Sequence, residues 1–419
     1  NRTLRLVLTG LDKATVEQTV PVASPPAPRP VPAGKGGLTV PEPTGQDRAR
    51  TPLTCGVPLA KGALFEPTNT RLLAPSGPLP LQARAQSRWE DGSIKWLLLD
   101  TQLDLKADQK LALVLEYGAK AASPPVAAPL KLTELSGRGG VLVDTGPARV
   151  IAPRVGAAEL RSAAGNTLLA GLTSTLTDKD GTAFAFETED VQVIERGALR
   201  ATIRMDGHYT GAGRKHFMGA LLVTAFAGKS YVRVDHVFGN DLIHENLTAI
   251  KSLSLDVATA AAPTGATVGV VDAAPVSLAG GADVVQQFDD QFVGAASGKR
   301  LAGWVKTEAL TLAVKDFWQQ YPKSLGTTAS GLRLGICPAI TPADLYANKP
   351  DEEKLYYYLR DGNYTYRRGL MKRHELWLGT PADAAEVMAR AARPLTAVAP
   401  ARYYQTVQAV GDILADNAA

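Results

Sequence analysis

A nine-residue stretch that begins at His208 and reads HYTGAGRKH concentrates side chains able to move protons or hold an anion. His208, Tyr209 and His216 are candidate catalytic residues, because imidazole and phenol groups can donate and accept protons. Arg214 and Lys215 are candidate substrate-binding residues, because both side chains pair with carboxylates. Glycines separate two strand-like runs here, so the spacing places all five residues at or near a loop tip. A solvated basic hairpin without function is the alternative.

A second stretch, YYYLRDGNYTYRR from Tyr356 to Arg368, alternates aromatic and cationic residues. Sugar rings stack on aromatic faces, and guanidinium groups bind carboxylates in bidentate geometry, so this composition suits an acidic oligosaccharide. Packing at a domain interface is the alternative. The candidate substrate-binding residues are Tyr358, Arg360, Tyr364, Tyr366, Arg367 and Arg368.

Other chemistries find less support in the sequence. The zinc-protease His-Glu-x-x-His spacing and the Gly-x-Ser-x-Gly elbow of serine hydrolases are both missing. Cys55 and Cys337 fall in different predicted domains, which favours buried thiols over a disulfide or a metal cluster. We expect no metal or other cofactor; calcium could substitute for a cationic clamp, but the spacing of a calcium loop is absent.

Net charge and hydropathy indicate which classes of molecule the chain can bind. The formal net charge of +4 is too small to indicate nucleic acid, yet it is compatible with an acidic polysaccharide. No apolar run is long enough to span a membrane.

The elements that must position these residues are predominantly strands. Alternating apolar residues and frequent turn signals predict a mainly β fold of two antiparallel β-sandwich domains with a few C-terminal helices. An N-terminal sandwich is predicted over residues 1–120, with a proline-rich loop at 21–36, and a large central sandwich over residues 130–380. Asp91-Gly92 predicts a hairpin between two strands of the first domain.

Helical signals come late in the chain. Thr341 and Thr380 each precede Pro-Ala-Asp, which predicts a helix start with an N-cap threonine and proline in the first turn. Residues 381–419 are predicted to form a helical tail, with a second helix running from about Tyr403 to Ala419.

Several segments together resemble the rhamnogalacturonan exolyases and the related YetA-like proteins of polysaccharide lyase family 26. They follow the order of that family and cover most of residues 50–378. The matching segments are Cys55–Gly62, Arg88–Asp100 (RWEDGSIKWLLLD), Ser230–Phe238 (SYVRVDHVF), Asp316–Leu325 (DFWQQYPKSL), Gly331–Pro338 (GLRLGICP) and Tyr356–Leu378.

The resemblance implies two β domains and a C-terminal helical toroid that act together in pectin degradation, by β-elimination at uronate residues. Because the chain diverges after Tyr404, its tail is interpreted as the start of a missing helical domain, supplied by a longer polypeptide, a second chain or self-assembly. Lyase activity is then expected only when that domain is present. The alternative is a non-catalytic glycan-binding or surface-assembly module. Either function predicts a secreted, periplasmic or cell-surface protein.

Overall fold

A computed structural model of the chain describes residues 2–9, 15–22, 32–136, 139–347, 359 and 361–411. Within these ranges the fold is mainly β with antiparallel pairing, and the short helices lie near the C-terminal end, as predicted. Two candidate residues, Tyr358 and Arg360, and most of the proline-rich loop lie outside the described residues. No helix in the described ranges is long and apolar enough to cross a bilayer.

The N-terminal region contains a hairpin and two small sheets. Its strands are β1 (Arg2–Thr9), β2 (Thr15–Val22), β3 (Gly34–Pro41), β4 (Arg48–Pro58), β5 (Thr70–Ala74), β6 (Gly77–Leu79), β7 (Gln82–Arg88), β8 (Ile94–Leu105) and β9 (Lys110–Tyr117). The first two pair with each other, and the sheet orders of the others are β3-β9-β5-β6 and β4-β8-β7.

Period-2 leucines form the core between these two sheets. Leu97 and Leu99 of β8 and Leu113 and Leu115 of β9 are all buried. The predicted turn between β7 and β8 is present, and Gly92 adopts a φ of 83° there, a conformation that favours glycine.

The central region is one large antiparallel network of strands. They are β10 (Lys131–Glu134), β11 (Gly140–Asp144), β12 (Ala148–Pro153), β13 (Ala158–Ser162), β14 (Thr167–Asp178), β15 (Ala183–Glu195), β16 (Arg200–Gly211), β17 (Arg214–Phe226), β18 (Val232–Gly239), β19 (Leu247–Ala258), β20 (Gly265–Val270), β21 (Val276–Ala279), β22 (Asp283–Phe288), β23 (Gln291–Gly294), β24 (Leu301–Lys306), β25 (Thr311–Val314), β26 (Lys323–Thr328), β27 (Gly331–Cys337), β28 (Tyr364–Arg367) and β29 (Met371–Gly379).

Two layers of this network enclose the core. One layer pairs in the order β15-β16-β17-β18-β29-β25, and the other contains β14-β19-β27-β26-β22. Side chains that alternate along each strand meet between the layers, as in other sandwiches. Val232, Val234, His236 and Phe238 of β18 are all buried at this interface.

The helices are short. A 3-10 turn over Trp318–Gln320 precedes β26, and a second one, Pro381–Asp383, leads into α1 (Ala384–Ala392); α2 spans Ala401–Val407. The predicted cap at Thr380 is confirmed: its hydroxyl and backbone N–H both donate to Oδ2 of Asp383.

Two helix predictions differ from the structure. Residues 341–347 form turns instead of a helix, although the Thr-Pro-Ala-Asp sequence recurs there. The helix predicted from Tyr403 to Ala419 begins slightly earlier and ends at Val407, because Gln408 takes a left-handed conformation with a φ of 52°. Residues 412–419 lie outside the described residues.

Arg200 joins the N-terminal sheets to the central sandwich. Its guanidinium contacts Asp100 Oδ1 at 3.1 Å and Glu195 Oε1 at 2.6 Å, and all three side chains are buried. Gln82 adds hydrogen bonds to the backbone of Leu199 and Arg200. Burial raises the pKa of Asp100 to about 6 even though Arg200 favours its ionised form. The junction therefore depends on one buried cation between two carboxyl groups.

We predict that Arg200→Met lowers the free energy of unfolding by about 3–5 kcal/mol, because it removes the buried cation that lies between two buried carboxyl groups. Arg84→Met is the matched control: Arg84 also approaches Glu195, at 3.5 Å, but 47% of its side chain is exposed, so a loss below about 1 kcal/mol is expected. Denaturant unfolding monitored by tryptophan fluorescence measures both values. Similar losses in the two variants would contradict this account of the junction.

Candidate functional site

Strand alternation separates His208 from Tyr209. Both lie on β16, and consecutive strand residues point to opposite faces of a sheet, so His208 reaches the outer face whereas Tyr209 enters the core. The tight turn that follows contains Ala212 and Gly213 with φ values of 48° and 72° and brings β17 back alongside β16. The five residues predicted to lie together at a loop tip are therefore divided between the outer face of the sheet and the core.

On the outer face, His208 lies between two carboxylates. Its Nδ1 is 3.1 Å from Glu189 Oε1, and its Nε2 is 3.2 Å from Asp241 Oδ2. Glu189 Oε1 also forms an ion pair with Lys215 Nζ, at a distance of 2.6 Å. Hydrogen bonds from Lys215 and His208 hold the pKa of Glu189 below its usual value. This group, the His208 cluster (His208, Glu189, Asp241 and Lys215), combines a proton-transfer residue with an ionised carboxylate at a solvent-accessible position.

A cleft of about 460 Å³ lies near this cluster: Thr188, which lines the cleft, directly precedes Glu189, although none of the four cluster residues lines it. Leu172, Phe186 and Met205 line its apolar part, and Arg154 and Glu187 lie among its polar residues. Glu187, which lines the cleft, is the cross-strand partner of His208. The paired strands β15 and β16 therefore contribute residues both to the cleft and to the His208 cluster. The volume of the cleft is within the range of small-molecule binding sites.

The structure places the candidate cations at separate positions. Arg214 pairs with Asp178 at 2.7 Å and packs on the ring of Phe184. Arg367 is exposed at the end of β28, and Arg368 donates to the carbonyl of Ile243 at 2.8 Å. That carbonyl belongs to the segment after β18 that also carries Asp241, so this segment links Arg368 to the His208 cluster.

Tyr209 belongs to a hydrogen-bonded network inside the core. Its hydroxyl is 2.8 Å from Ser174 Oγ and 2.9 Å from His236 Nε2, and the serine lies 3.0 Å from the same histidine nitrogen. Ser174 donates to the carbonyl of Ser254 at 2.8 Å. A Cβ atom at Gly219 would lie 2.8 Å from the Phe186 ring and 3.2 Å from Tyr209, so the glycine leaves room for both rings.

The other candidates that the structure describes are buried. His216 packs between Phe184 and Phe217, and burial lowers its pKa. The Tyr364 hydroxyl donates to the carbonyl of Pro338, and the Tyr366 hydroxyl lies 3.1 Å from the Cys337 thiol. Both cysteines are buried free thiols, as predicted.

The residues that sequence reasoning missed are the partners of the histidines. Glu189, Asp241 and Ser174 carry no motif, and they reach their sites through strand pairing between segments distant in sequence. Asp241 had one local signal, because it lies two residues after the end of β18, where a polar side chain tends to mark a loop. Among the described residues, no group of three or more histidine, cysteine, aspartate and glutamate side chains is arranged to hold a metal ion.

Residues 43–114 match the family model described as the PcRGLX-like N-terminal RIFT barrel domain. This match fits the rhamnogalacturonan lyase-like family for the N-terminal sheets and does not extend to the YetA-like group or to polysaccharide lyase family 26. No curated protein matches the chain.

Solved structures show a similar fold over much more of the chain. A protein in glycosyl hydrolase family 38 from Enterococcus faecalis has a TM-score of 0.53 at 10% identity, covering 88% of this chain and 48% of its own. An alpha-mannosidase from Enterococcus faecalis V583 has a TM-score of 0.52 at 11% identity, with coverages of 88% and 46%. The chain thus spans about half the length of these structures, and at this identity the likeness concerns the fold alone.

These matches correct the function predicted from sequence. The chain's fold is shared with glycosyl hydrolase family 38 proteins, so the prediction of β-elimination at uronate residues is wrong. The alternative of a non-catalytic glycan-binding or surface-assembly module is not favoured either. The motifs behind the resemblance, such as SYVRVDHVF, supply strands and core residues here, and such residues specify a fold more directly than a reaction.

The core histidines predict a loss of stability in acid. Burial lowers the pKa of His236 to about 3, and burial also depresses that of His374 well below its usual value. As the pH falls below about 6.5, these two histidines therefore become protonated in the unfolded chain before they do so in the folded protein. The free energy of unfolding then decreases by up to about 1.4 kcal/mol per pH unit for each histidine.

Urea unfolding of the wild type and of His236→Gln between pH 7 and pH 4 measures this dependence, and the variant should show the shallower slope. His244→Gln, at an exposed position, is the control and should retain the wild-type slope. Parallel slopes for the wild type and His236→Gln would show that His236 does not cause the acid sensitivity.

Proposed function

We propose that this chain forms the β-rich part of an enzyme that hydrolyses glycosidic bonds, with a carbohydrate bound at the cleft and the His208 cluster. The observation that carries the proposal is the position of His208: both ring nitrogens contact carboxylates, at 3.1 and 3.2 Å, near a cleft in a fold shared with glycosyl hydrolase family 38 proteins.

The chemistry divides between proton transfer and orientation. The protonated imidazole of His208 gives its proton to the departing glycosidic oxygen as the bond from that oxygen to the anomeric carbon breaks. A water molecule forms the new bond to the same carbon, and its proton passes to the ionised Glu189. Asp241 holds the ring from its other side, and Lys215 keeps Glu189 ionised.

Two carboxyl groups flank the imidazole of His208. Inverting glycosidases hold two carboxyl groups roughly 6.5–9.5 Å apart so that a water molecule fits between one of them and the sugar. The pair of carboxyl groups to compare here is Glu189 and Asp241, which contact opposite nitrogens of the His208 ring. Sugar hydroxyls then have carboxylate acceptors on both sides of the proton donor.

Carbohydrate recognition extends the proposal to neighbouring positions. Arg154 lies among the residues that line the cleft and donates to the carbonyl of Glu189 at 3.1 Å. Phe186 offers the cleft an aromatic ring on which a sugar can pack. Arg367 and Arg368, joined to the cluster through the Asp241 segment, are proposed to contact more distant sugar units.

The proposal also concerns the sequence relatives of this chain and its cellular location. The barrel match supports kinship with the YetA-like proteins and polysaccharide lyase family 26 as sequence relatives, without their reaction. A glycan substrate also supports a secreted, periplasmic or cell-surface location.

The test is hydrolysis of a panel of nitrophenyl glycosides, including the α-mannoside, by this chain and by the longest natural polypeptide that contains it. Glu189→Gln, Asp241→Asn and His208→Ala should each reduce kcat/KM by about 100-fold or more, the usual size of a general acid–base contribution. Glu90→Gln is the matched control, because Glu90, in the turn between β7 and β8, forms an exposed ion pair with Lys61.

Wild-type kcat/KM in Glu189→Gln and His208→Ala would remove the His208 cluster from catalysis. Absence of turnover on every glycoside by both polypeptides would overturn the proposed hydrolysis.

A further inference from the structure

Three basic side chains approach one another in the sandwich core. His236 and His374 are direct cross-strand partners on β18 and β29, and both are buried. Lys323, at the start of β26 in the opposite layer, has no exposed surface at all. Its charge acts on both histidines and contributes to their lowered pKa values. A lysine is almost never fully buried unless it is paired.

No carboxylate of the described residues balances this group. The groups that perturb Lys323, apart from burial, are Lys372 and Cys337, and those that perturb the two histidines are other basic side chains. A buried ammonium without an anionic partner is costly, and a protein responds either by neutralising it or by binding a counter-ion.

The hydrogen-bonding atoms of the group show an excess of donors. Within the described part of the chain, Lys323 Nζ makes one long hydrogen bond, 3.5 Å, to the carbonyl of Ile336. Both ring nitrogens of His374 and Nδ1 of His236 are buried and have no partner among the residues that the structure describes. When Tyr209 donates to His236 Nε2, the imidazole proton lies on Nδ1. Neutral His374 adds one N–H and one acceptor nitrogen, so donors outnumber acceptors among Lys323, His236 and His374.

The surrounding side chains restrict the size of any acceptor. The Phe238 ring stacks on His374 with centroids 6.0 Å apart and meets the Tyr366 ring at 5.3 Å. Tyr366 in turn contacts the Cys337 thiol. Rings and a thiol around the basic group exclude a sugar or a phosphate ester, whereas a single-atom ion needs only the space of one water molecule.

We propose that Lys323, His236 and His374 bind a small monovalent inorganic anion, of the chloride class, between the two layers of the sandwich. An anion accepts hydrogen bonds and donates none, which matches a group that consists almost entirely of donors. It also provides the negative charge that no described carboxylate supplies to Lys323 and the two histidines. The site is structural, and it lies in the core, separate from the His208 cluster on the outer face.

Bromide replaces chloride and scatters anomalously, so crystals grown in sodium bromide near pH 6 test the location directly. An anomalous peak within hydrogen-bonding distance of Lys323 Nζ and His374 supports the site. Ordered water alone at that position, without an anomalous signal, would overturn it.

Thermal unfolding tests whether the ion is bound specifically. Raising chloride to about ten times its Kd, against sodium gluconate at equal ionic strength, should raise Tm by roughly 2–3 °C in a saturable manner. Lys323→Met should lose this chloride dependence, whereas Lys306→Met, at a half-buried position on β24, should keep it.

Should Lys323→Met fail to fold, His374→Asn serves as the second variant and should weaken the chloride dependence. A Tm that rises equally in chloride and in gluconate, or a dependence that both variants retain, would overturn the proposal. None of these measurements involves glycoside turnover, so their outcome is independent of the function proposed above.

Discussion

The alternation of side chains along β16 is the constraint on which both polar sites depend. One residue step moves a side chain from the outer face to the core, so His208 and Tyr209 cannot act on the same substrate atom although they are neighbours in sequence. Pairing with β15 places Glu187 opposite His208, and pairing with β17 and β18 brings His236 into reach of Tyr209. The register of these four strands thus builds a proton-transfer group outside and a neutral hydrogen-bonded network inside.

The two sites differ in how they treat charge. On the outer face, carboxylates surround an accessible imidazole, and solvent moderates the interactions between them. In the core, burial depresses the pKa of His236 and lowers that of Lys323 to about 7, because an ionised form has no water around it. The same residue types are therefore suited to proton exchange with a ligand on one side of the sheet and to fixed hydrogen bonding on the other.

The sequence predicts local features well and long-range neighbours poorly. The alternation of apolar residues, the Asp91-Gly92 turn and the Thr380 cap act over a few residues, and each has its predicted form. The same Thr-Pro-Ala-Asp signal at Thr341 gives turns instead of a helix, so a local preference can be overridden by its surroundings. The partners of His208 lie 19 and 33 residues away, and strand pairing, which no local pattern specifies, brings them together.

The error in the predicted function has a related cause. A family resemblance built on apolar and aromatic segments detects the residues that fill a sandwich, and many of those residues are buried here, including Tyr364, Tyr366 and His374. Burial removes a side chain from substrate and makes its identity a packing requirement. Residues that touch a ligand lie on surfaces, where few packing constraints restrict their identity. The aromatic residues of the Tyr356–Arg368 segment therefore predicted sugar binding, although two of them, Tyr364 and Tyr366, pack in the core. The partly exposed imidazole of His208 instead contacts Glu189 and Asp241, two residues that belong to no motif.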